Sequence, residues 1–529
     1  MTGSSLRVAV ATDASVLRWQ ARCIEALAAV PGVSIERWVR PPSTPDVTPA
    51  VGSGALGPVD APEALRGVAT DDGRSAGPAA GPGPAGAVDV LLDLTSAGLP
   101  SAADGAPEVW HYGYGDTFVR DPRRAAVIDF IRHPGRTRVA LIAEPGARIV
   151  RDGLLSWWRG EELERMLTDT AAWPATVALD RTDPVTGPAD GGARTAGSTR
   201  GGPARAARDG VLERSPKPVL RAASFGRRVQ RAVASVVRHD GWNVGIADAP
   251  IERMLGPDTD YAITWLPARP GLFAADPFGV ERDGVLHIFF EEYDQQAARG
   301  TISHVAVAAD GTIGEPEPVL DPGVHASYPF LVEDEGTLFM LPETCAAGEL
   351  AIYAAVDFPL GWRREATLLP GVPAVDTSVI RFEGRWWMFA TRLDQGPNNN
   401  LFVWHAAELM GPWTPHAANP VKTDSGSARP GGTPYVVDGK LIRPGQDDSF
   451  VYGGGIVLNE IDVLTARLFS ERSVGTIRPR PGSPYPDGLH TLSGVGRRTL
   501  IDGNNLGFVR EVFVNDVARK LRLRRGKSR

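Results

Sequence analysis

The chain has 529 residues, which is too long for one ordinary core, so we expect two or three domains. Its composition, 43% hydrophobic and 22% charged, is normal for a soluble globular protein, and a net charge of −7 argues against a general nucleic-acid role. Two cysteines, Cys23 and Cys345, exclude a disulfide framework. The sequence shows no signal segment and no apolar run of membrane-spanning length, so we expect a cytoplasmic protein without a transmembrane segment.

The first region, residues 1–179, indicates an α/β domain. "LRVAVAT" predicts a buried strand, "SVLRWQARCIEALAAV" an amphipathic helix and "VSIERWV" a second strand. "VDVLLDLTS" predicts a buried parallel strand, "EVWHYGYGD" a strand or the loop at its end, and "RVALIAEPGARIVRDGLLSW" further strands. "GEELERMLTDTAAW" predicts a helix. This order is typical of a doubly wound, Rossmann-like fold.

Three stretches lack a core-forming pattern. Residues 41–87 are rich in Pro, Gly, Ala and Ser and predict a disordered insertion, while residues 180–223 predict a flexible linker. Residues 224–240 predict an amphipathic helix with a basic face that connects the two halves, and residues 519–529 predict a basic tail. We expect proteolysis to cut the insertion and the linker first.

From residue 241 to 518 the chain predicts repeated strand–turn–strand units. A turn glycine marks each unit, at intervals of 52, 48, 55 and 57 residues: Gly284, Gly336, Gly384, Gly439 and Gly496. Periods of this size built from antiparallel strands favour a five-bladed β-propeller, with a barrel or sandwich of hairpins as the alternative. The predicted fold class is therefore an N-terminal α/β domain followed by an all-β propeller.

The repeat places polar residues at the end of each hairpin remote from its turn. Eight residues before the turn glycine lie Asp276, Tyr328 and Asp376, and seven residues after it lie Glu291, Glu343, Thr391 and Gln446. Positions equally distant from a hairpin turn are neighbours. Radially arranged hairpins therefore predict one pocket, called here the mouth, lined by Asp276, Glu291, Tyr328, Glu343, Asp376, Arg429, Gln446 and His490.

Three further features concern this pocket. Arg443 belongs to the same fourth unit as Arg429 and Gln446, and we assign all three to ligand binding. The tryptophans Trp386, Trp387 and Trp404 are predicted as blade core rather than sugar platforms. Two carboxylates about 5 to 10 Å apart suit acid–base sugar chemistry, but the same groups could hold a cation or bind sugar hydroxyls.

Ordered motifs now indicate a family. "DGWNVGI", "ADPFGVERDGVLHIFFEEY", "SYPFLVEDEGTLFMLPET", "ARPGGTPYVVDGKLIRPGQD" and "GLHTL" together resemble the N-terminal domain of plant glucosamine inositolphosphorylceramide transferases and their bacterial relatives. That domain is similar to the five-bladed propeller of family-43 glycoside hydrolases. The resemblance implies a carbohydrate or sugar-conjugate ligand. In the plant proteins the transfer chemistry resembles that of a separate C-terminal domain, so we expect transferase activity not to carry over directly.

The resemblance also implies catalytic roles. Asp276 matches the general base of the hydrolases, and Asp376 matches the aspartate that orients their general acid. The acid itself is a Glu at the start of the fourth blade, where this chain has "ARPGGTP" and no Glu. Glu343 or Glu291 could supply the acid from another blade, and we name Asp276, Asp376 and Glu343 as the catalytic set.

The first domain resembles a formyltransferase-type Rossmann half. His111 matches the family histidine, but the asparagine two residues before it is absent, and Asp152 is only a loose match to the family aspartate. We therefore expect a degenerate site. No dinucleotide or phosphate-loop motif is present, so no cofactor is assigned, and no metal ligand set is assigned.

Three functions stay open from the sequence. The first is a propeller enzyme that cleaves or transfers a glycosyl unit. The second is a non-catalytic glycan-recognition module of a biosynthetic pathway. The third is an amino-sugar formyltransferase that uses the N-terminal domain.

Overall fold

The computed structural model describes eleven segments of the chain. Outside them lie the predicted insertion apart from Pro58–Val59, the linker beyond Thr182, the connecting helix before Asp240 and the basic tail. The described segments are residues 5–12, 16–39, 58–59, 88–94, 107–115, 136–144, 146, 148–156, 167–182, 240–256 and 260–506.

The N-terminal segments form a six-stranded mixed sheet in the order β3-β1-β5-β6-β7-β8. The first four strands are parallel, β7 and β8 are antiparallel, and β2 pairs with β4. The described residues carry two complete α-helices and a further helical stretch at residues 167–169, and they do not by themselves show a doubly wound Rossmann domain. The elements are β1 (Leu6–Thr12), β2 (Val16–Leu17), α1 (Arg18–Ala28), β3 (Val33–Val39), β4 (Pro58–Val59), β5 (Val90–Asp93), β6 (Glu108–Tyr114), β7 (Arg136–Glu144), β8 (Arg148–Ser156) and α2 (Trp173–Thr182).

Helix α2 follows the helix that the sequence pattern predicts over 160–173. Residues 160–166 of that predicted helix lie outside the described residues, and residues 167–169 are helical. Helix α2 begins at Trp173 and runs to Thr182, past the predicted domain end at residue 179. Pro174 explains the start, because proline is tolerated in the first turn of a helix and disrupts a helix interior. Trp173 is fully buried in the core of the N-terminal sheet.

The second half of the chain is a five-bladed β-propeller, as predicted. Four blades are consecutive four-stranded antiparallel sheets, and β23 adds to the third. Their strands are β11 (Leu272–Arg282), β12 (Val285–Asp294), β13 (Arg299–Val307), β14 (Glu317–Leu320), β15 (Ser327–Asp334), β16 (Thr337–Glu343), β17 (Glu349–Asp357), β18 (Gly361–Pro370), β19 (Ala374–Phe382), β20 (Arg385–Arg392), β21 (Asn400–Ala406), β22 (Thr414–Pro415), β23 (Lys422–Thr423), β24 (Tyr435–Val437), β25 (Lys440–Gln446), β26 (Ile456–Leu464) and β27 (Phe469–Ile477).

The fifth blade closes the ring with strands from both ends of the propeller. Its order is β10-β9-β29-β28, and β29 pairs antiparallel with β9 from Thr499↔Ala247 to Asn504↔Trp242. The predicted fifth unit therefore supplies half of a blade, and the residues directly after Asp240 supply the other half. These strands are β9 (Trp242–Ala247), β10 (Ile263–Trp265), β28 (Leu492–Val495) and β29 (Arg498–Asn504).

Two-residue turns set the register of the first four blades. In the first blade Arg282 pairs with Val285, and Asp283 and Gly284 between them have φ of 52° and 77°. Positive φ at both positions is the hairpin turn that matches strand twist, and glycine adopts it without steric cost. In the fifth blade Gly496 takes the first turn position rather than the second. Positions counted from this glycine are therefore shifted by one residue relative to those in the other blades.

Blade packing confirms the tryptophan prediction. Trp386, Trp387 and Trp404 are all buried in apolar clusters of the propeller.

None of the helices in the segments described above is long and apolar enough to cross a membrane.

The N-terminal sheet docks on the propeller through strand β8. The Leu154 carbonyl accepts a backbone hydrogen bond of 2.7 Å from Ser425, and the Arg151 guanidinium donates one of 2.6 Å to the Pro420 carbonyl. The Trp173 indole donates to Thr423 Oγ1 at 3.1 Å. A Cβ on Gly153 would lie 2.2 Å from the Thr423 carbonyl oxygen, so this close approach requires glycine.

Candidate functional site

Three blades place a polar residue in equivalent β-bulges. In the first blade Ala275 pairs with Glu291 while Phe278 pairs with Phe289, so two residues face one. Bulges re-aim a side chain out of strand alternation, which explains how chemically different residues reach the mouth from the same register. The bulged residues all have positive φ, uncommon for residues other than glycine: Asp276 (54°), Tyr328 (45°) and Asp376 (50°).

Asp376 is held by two donors from the fourth blade. Arg429 Nε and Gln446 Nε2 each lie 2.5 Å from Asp376 Oδ2. The backbone N–H of Asp376 donates to Glu343 Oε2 at 3.0 Å. The third blade is thereby tied to its neighbours on both sides, and the Asp376 carboxylate faces a cation.

Asp276 lies against the fifth blade. Its Oδ1 accepts a hydrogen bond of 2.9 Å from Thr491 Oγ1 and lies 3.5 Å from His490 Nδ1. His490 Nδ1 is closer to Asp502 Oδ2, at 2.6 Å. Burial lowers the pKa of His490, but the carboxylates of Asp502 and Asp276 outweigh it and raise that pKa to about 9. His490 is therefore a buried cation at neutral pH.

The two candidate reactive carboxyls have different protonation. Burial raises the pKa of Asp276 to about 6, although the charge of His490 opposes the shift. Burial and the Asp376 carboxylate raise the pKa of Glu343 to about 8 against the pull of Arg429. At pH 7 Asp276 is mostly ionised and Glu343 mostly protonated. This separation is the pattern of a base and an acid in one site.

Glu291 and Tyr328 complete the predicted pocket. Burial raises the pKa of Glu291 well above its usual value, with further increases from Asp276, Glu343 and Asp376. A series of direct contacts links the predicted residues: Glu343 to Asp376, Asp376 to Arg429, Arg429 to Tyr452, Tyr452 to His490, and His490 to Asp276. Tyr328 is fully buried, and its hydroxyl accepts a hydrogen bond from the Gly432 N–H at 2.7 Å and lies 2.8 Å from Ser378 Oγ.

Arg443 lies elsewhere, which corrects its assignment as a ligand-binding residue. Its guanidinium donates two hydrogen bonds to Glu471, of 2.9 and 2.6 Å, and one of 2.6 Å to the Ser427 carbonyl. Lys422 Nζ also donates to Glu471, at 2.7 Å. Because successive strand residues alternate faces, Arg443 and Gln446, three positions apart, point to opposite sides of β25.

Sequence reasoning missed two acids and two aromatic residues of the site. Asp502, on β29, and Asp448, two residues after the end of β25, are both fully buried. The acidic pair in "GQDDSF" and the strand "LIDG" were available signals in the sequence. The second was missed because Gly496 takes the first position of its turn, so the glycine spacing is shifted by one residue in the fifth blade. Trp242 stacks on the His490 ring with 3.9 Å between centroids, and Tyr452 meets that ring edge-on at 5.3 Å.

One group of described residues has ligand atoms close enough to hold a metal ion: Asp276, His490 and Asp502, all buried and within 4.8 Å of one another. His490 Nδ1 lies 2.6 Å from Asp502 Oδ2, a hydrogen-bond distance that requires a proton between these two atoms. Imidazole ligates metals in its neutral form. The trio fits an ion pair better than a metal centre.

The N-terminal candidates His111 and Asp152 lie on β6 and β8, with β7 between them. His111 is buried, with Nε2 3.8 Å from Glu144 Oε1. Asp152 accepts hydrogen bonds from the Arg138 guanidinium, at 3.0 Å and 2.5 Å. Each candidate therefore has a partner of its own in the sheet.

Comparison with known proteins finds similarity in the propeller. Residues 262–480 match the family described as "Glucosamine inositolphosphorylceramide transferase 1, N-terminal". The chain is 36% identical over 208 residues to glucosamine inositolphosphorylceramide transferase 1 of Oryza sativa subsp. japonica and 34% identical over 211 residues to that of Arabidopsis thaliana. These matches cover 38% and 39% of this chain and 28% of each relative. The chain thus spans little more than a quarter of these relatives.

Solved structures give remoter matches. The α-L-arabinofuranosidase PaAbf62A from Podospora anserina shares 13% identity at a TM-score of 0.35, over 51% of this chain and 98% of that one. A thermostable family-43 glycoside hydrolase shares 15% identity at a TM-score of 0.34, over 46% of this chain and 89% of that one.

Proposed function

We propose that the mouth binds a carbohydrate or sugar conjugate and acts on a glycosidic bond by acid–base chemistry. The observation that carries this proposal is the convergence of Asp276 and Glu343, two buried carboxyls from consecutive blades. One lies beside the His490 cation and the other beside the Asp376 anion.

Each carboxyl suits one half of the reaction. Glu343 holds a proton at neutral pH and would donate it to the glycosidic oxygen as the sugar leaves. Asp276 is ionised and would accept a proton from the attacking water or hydroxyl. Asp376 would act as a positioning residue: its own backbone N–H holds Glu343, while Arg429 and Gln446 hold its carboxylate.

The sugar class has independent support. The matched family region, residues 262–480, contains Asp276, Glu343 and Asp376, and the rice and Arabidopsis relatives carry a glucosamine-transfer name. Only a fraction of each relative is matched, so their whole activity is not transferred to this chain. Cleavage, or transfer to an acceptor hydroxyl, is proposed on the geometry of the mouth.

Two measurements test the proposal. A thermal-shift screen with oligosaccharides, methyl glycosides and nucleotide sugars detects binding, because a ligand specific to the folded state raises the unfolding midpoint. A panel of chromogenic aryl glycosides then detects turnover. Asp276→Asn and Glu343→Gln should each lower turnover by about 100-fold or more, which is the scale of general acid–base catalysis. Both variants keep the side-chain shape.

Glu365→Gln is the control, since this exposed carboxyl pairs with Arg363 far from the mouth. It should leave turnover unchanged. Sugar binding without turnover of any glycoside would favour the glycan-recognition module instead, and Asp276→Asn would then weaken affinity. No binding to any sugar would refute the carbohydrate proposal. Formyl transfer by the N-terminal domain stays a prediction from resemblance.

A further inference from the structure

We propose that Asp448 is a sugar-binding residue of the mouth, which accepts a hydrogen bond from a ring hydroxyl beside one accepted by Gln446. The proposal deepens the carbohydrate function above and rests on it. It assigns the fourth blade a binding edge for a pair of neighbouring hydroxyls.

The first observation is an unpartnered oxygen. Asp448 is 0% exposed, and its Oδ1 accepts a hydrogen bond of 2.8 Å from the Gly453 N–H. Its Oδ2 is buried without a hydrogen-bond partner among the described residues. A buried carboxylate oxygen without a donor is costly, so a ligand or solvent donor is expected there.

The second observation is that Gln446 has the same need. Its Nε2 donates to Asp376 Oδ2 and to the Pro430 carbonyl, at 2.5 and 2.8 Å, so the amide orientation is fixed. Its Oε1 is left buried and without a donor in the described part of the chain. Gln446 is the last residue of β25, and Asp448 follows it by two residues.

The third observation is location. Gly453, whose N–H donates to Asp448 Oδ1, follows Tyr452 in the chain. The Tyr452 ring lies 5.2 Å from Arg429 Cζ and meets the His490 ring edge-on at 5.3 Å. Asp448 is therefore bound to the segment that contacts the mouth residues of the fourth and fifth blades. The loop that carries it is fixed, because the Asp448 N–H donates to the Ser425 carbonyl at 2.9 Å.

These features select a ligand class. Both free atoms are acceptors, so the occupant must offer two donors, and the hydroxyls of a sugar ring are such donors. A divalent cation is the competing occupant. Among the described residues, however, the group able to share one ion is Asp276, His490 and Asp502, and it does not include Asp448.

The experiment is a double-mutant cycle in which a protein side chain and a ligand hydroxyl are changed separately and together. Wild-type protein and Asp448→Asn are titrated with methyl glucoside, methyl galactoside and methyl mannoside, and with each monodeoxy analogue of the hexoside that binds best. Asp448→Asn keeps the acceptor for Gly453 and replaces only the free oxygen with an amide. Asp447→Asn is the matched control, because both carboxylate oxygens of Asp447 already have partners in Ser449 and Arg478.

We expect Asp448→Asn to lose about 10-fold or more in affinity, the scale of a hydrogen bond to a charged group, with an unchanged unfolding midpoint in the absence of sugar. Removal of one particular ligand hydroxyl should also weaken binding to wild type by about 10-fold. The same removal should weaken binding to Asp448→Asn by less than about 2-fold, because the variant has already lost that hydrogen bond. Asp447→Asn should bind the hexoside like wild type.

Three results overturn the inference. If wild type binds a hexoside and Asp448→Asn binds it equally well, solvent satisfies Oδ2, and the proposed function stands without Asp448. If Ca²⁺ or Mg²⁺ alone stabilises wild type but not Asp448→Asn, the occupant is a cation. If wild type binds none of the hexosides and no other sugar in the thermal-shift screen, both proposals fail together.

Discussion

The buried ion pair between Arg443 and Glu471 gives a direct stability prediction. Glu471 accepts hydrogen bonds from Arg443 and Lys422, and the side chains of Arg443 and Glu471 are each 1% exposed. Glu471→Gln removes the anion and leaves the buried guanidinium facing a neutral amide. The substitution keeps the side-chain volume, so the expected effect is electrostatic.

The magnitude follows from the pKa of Glu471. Burial alone would raise it, but Arg443 and Lys422 lower it from 4.5 to about 2. A shift of that size corresponds to about 3 kcal/mol, and removal of one partner of a buried pair typically costs about 3 to 5 kcal/mol. We therefore expect Glu471→Gln to lower the free energy of unfolding by about 3 kcal/mol at pH 7.

The sign of the pH dependence is also fixed. A depressed folded-state pKa contributes stability that is fully present above the unfolded value of 4.5 and is lost as pH falls through about 2. The difference between wild type and Glu471→Gln should therefore be constant near neutrality and shrink below pH 4.5. Urea unfolding followed by tryptophan fluorescence measures it at each pH.

Two variants control the experiment. Glu365→Gln removes an exposed pair with Arg363 and should change stability by less than about 0.5 kcal/mol. The double variant Arg443→Met with Glu471→Leu removes both charges of the pair, while Lys422 keeps contacts with Ser427 and Asp424. It should cost less than Glu471→Gln alone. It should also keep sugar affinity, since Arg443 faces away from the mouth. A loss below about 1 kcal/mol for Glu471→Gln, or a difference that persists at acid pH, would refute the reasoning.

Two further predictions concern closure and titration. Gly432→Ala should destabilise the propeller much more than Gly439→Ala. A Cβ at position 432 would lie 1.8 Å from the Leu492 carbonyl oxygen, whereas a Cβ at position 439 would meet no atom within 4 Å. Equal thermal midpoints of the two variants would contradict this prediction. Burial raises the pKa of Glu343 from 4.5 to about 8, so the contribution of this carboxyl to stability is lost as pH rises between those values. The thermal midpoint of Glu343→Gln should therefore fall less steeply over this pH range than that of wild type. Parallel plots of midpoint against pH for the two proteins would count against the prediction.

The sequence was sufficient for the blades and for part of the mouth, because hairpin register is local. An Asp-Gly or Glu-Gly turn with positive φ fixes which residues pair, and the alternation of strand side chains does the rest. The sequence alone therefore places Asp276, Glu291, Glu343 and Asp376 at one end of their hairpins. The repeat spacing likewise predicts five blades.

Tertiary structure decided what depends on contacts between distant parts of the chain. The fifth blade needs β9 beside β29, more than 250 residues later, and no local pattern encodes that pairing. His490 and Asp502 reach Asp276 only through this closure, so the protonation of the mouth could not be inferred from the first blade alone. Arg443 was assigned to the mouth from its charge alone, without regard to the face of β25 to which its side chain points. Asp448 was missed because an unpartnered oxygen can be recognised only when all of its neighbours are in place.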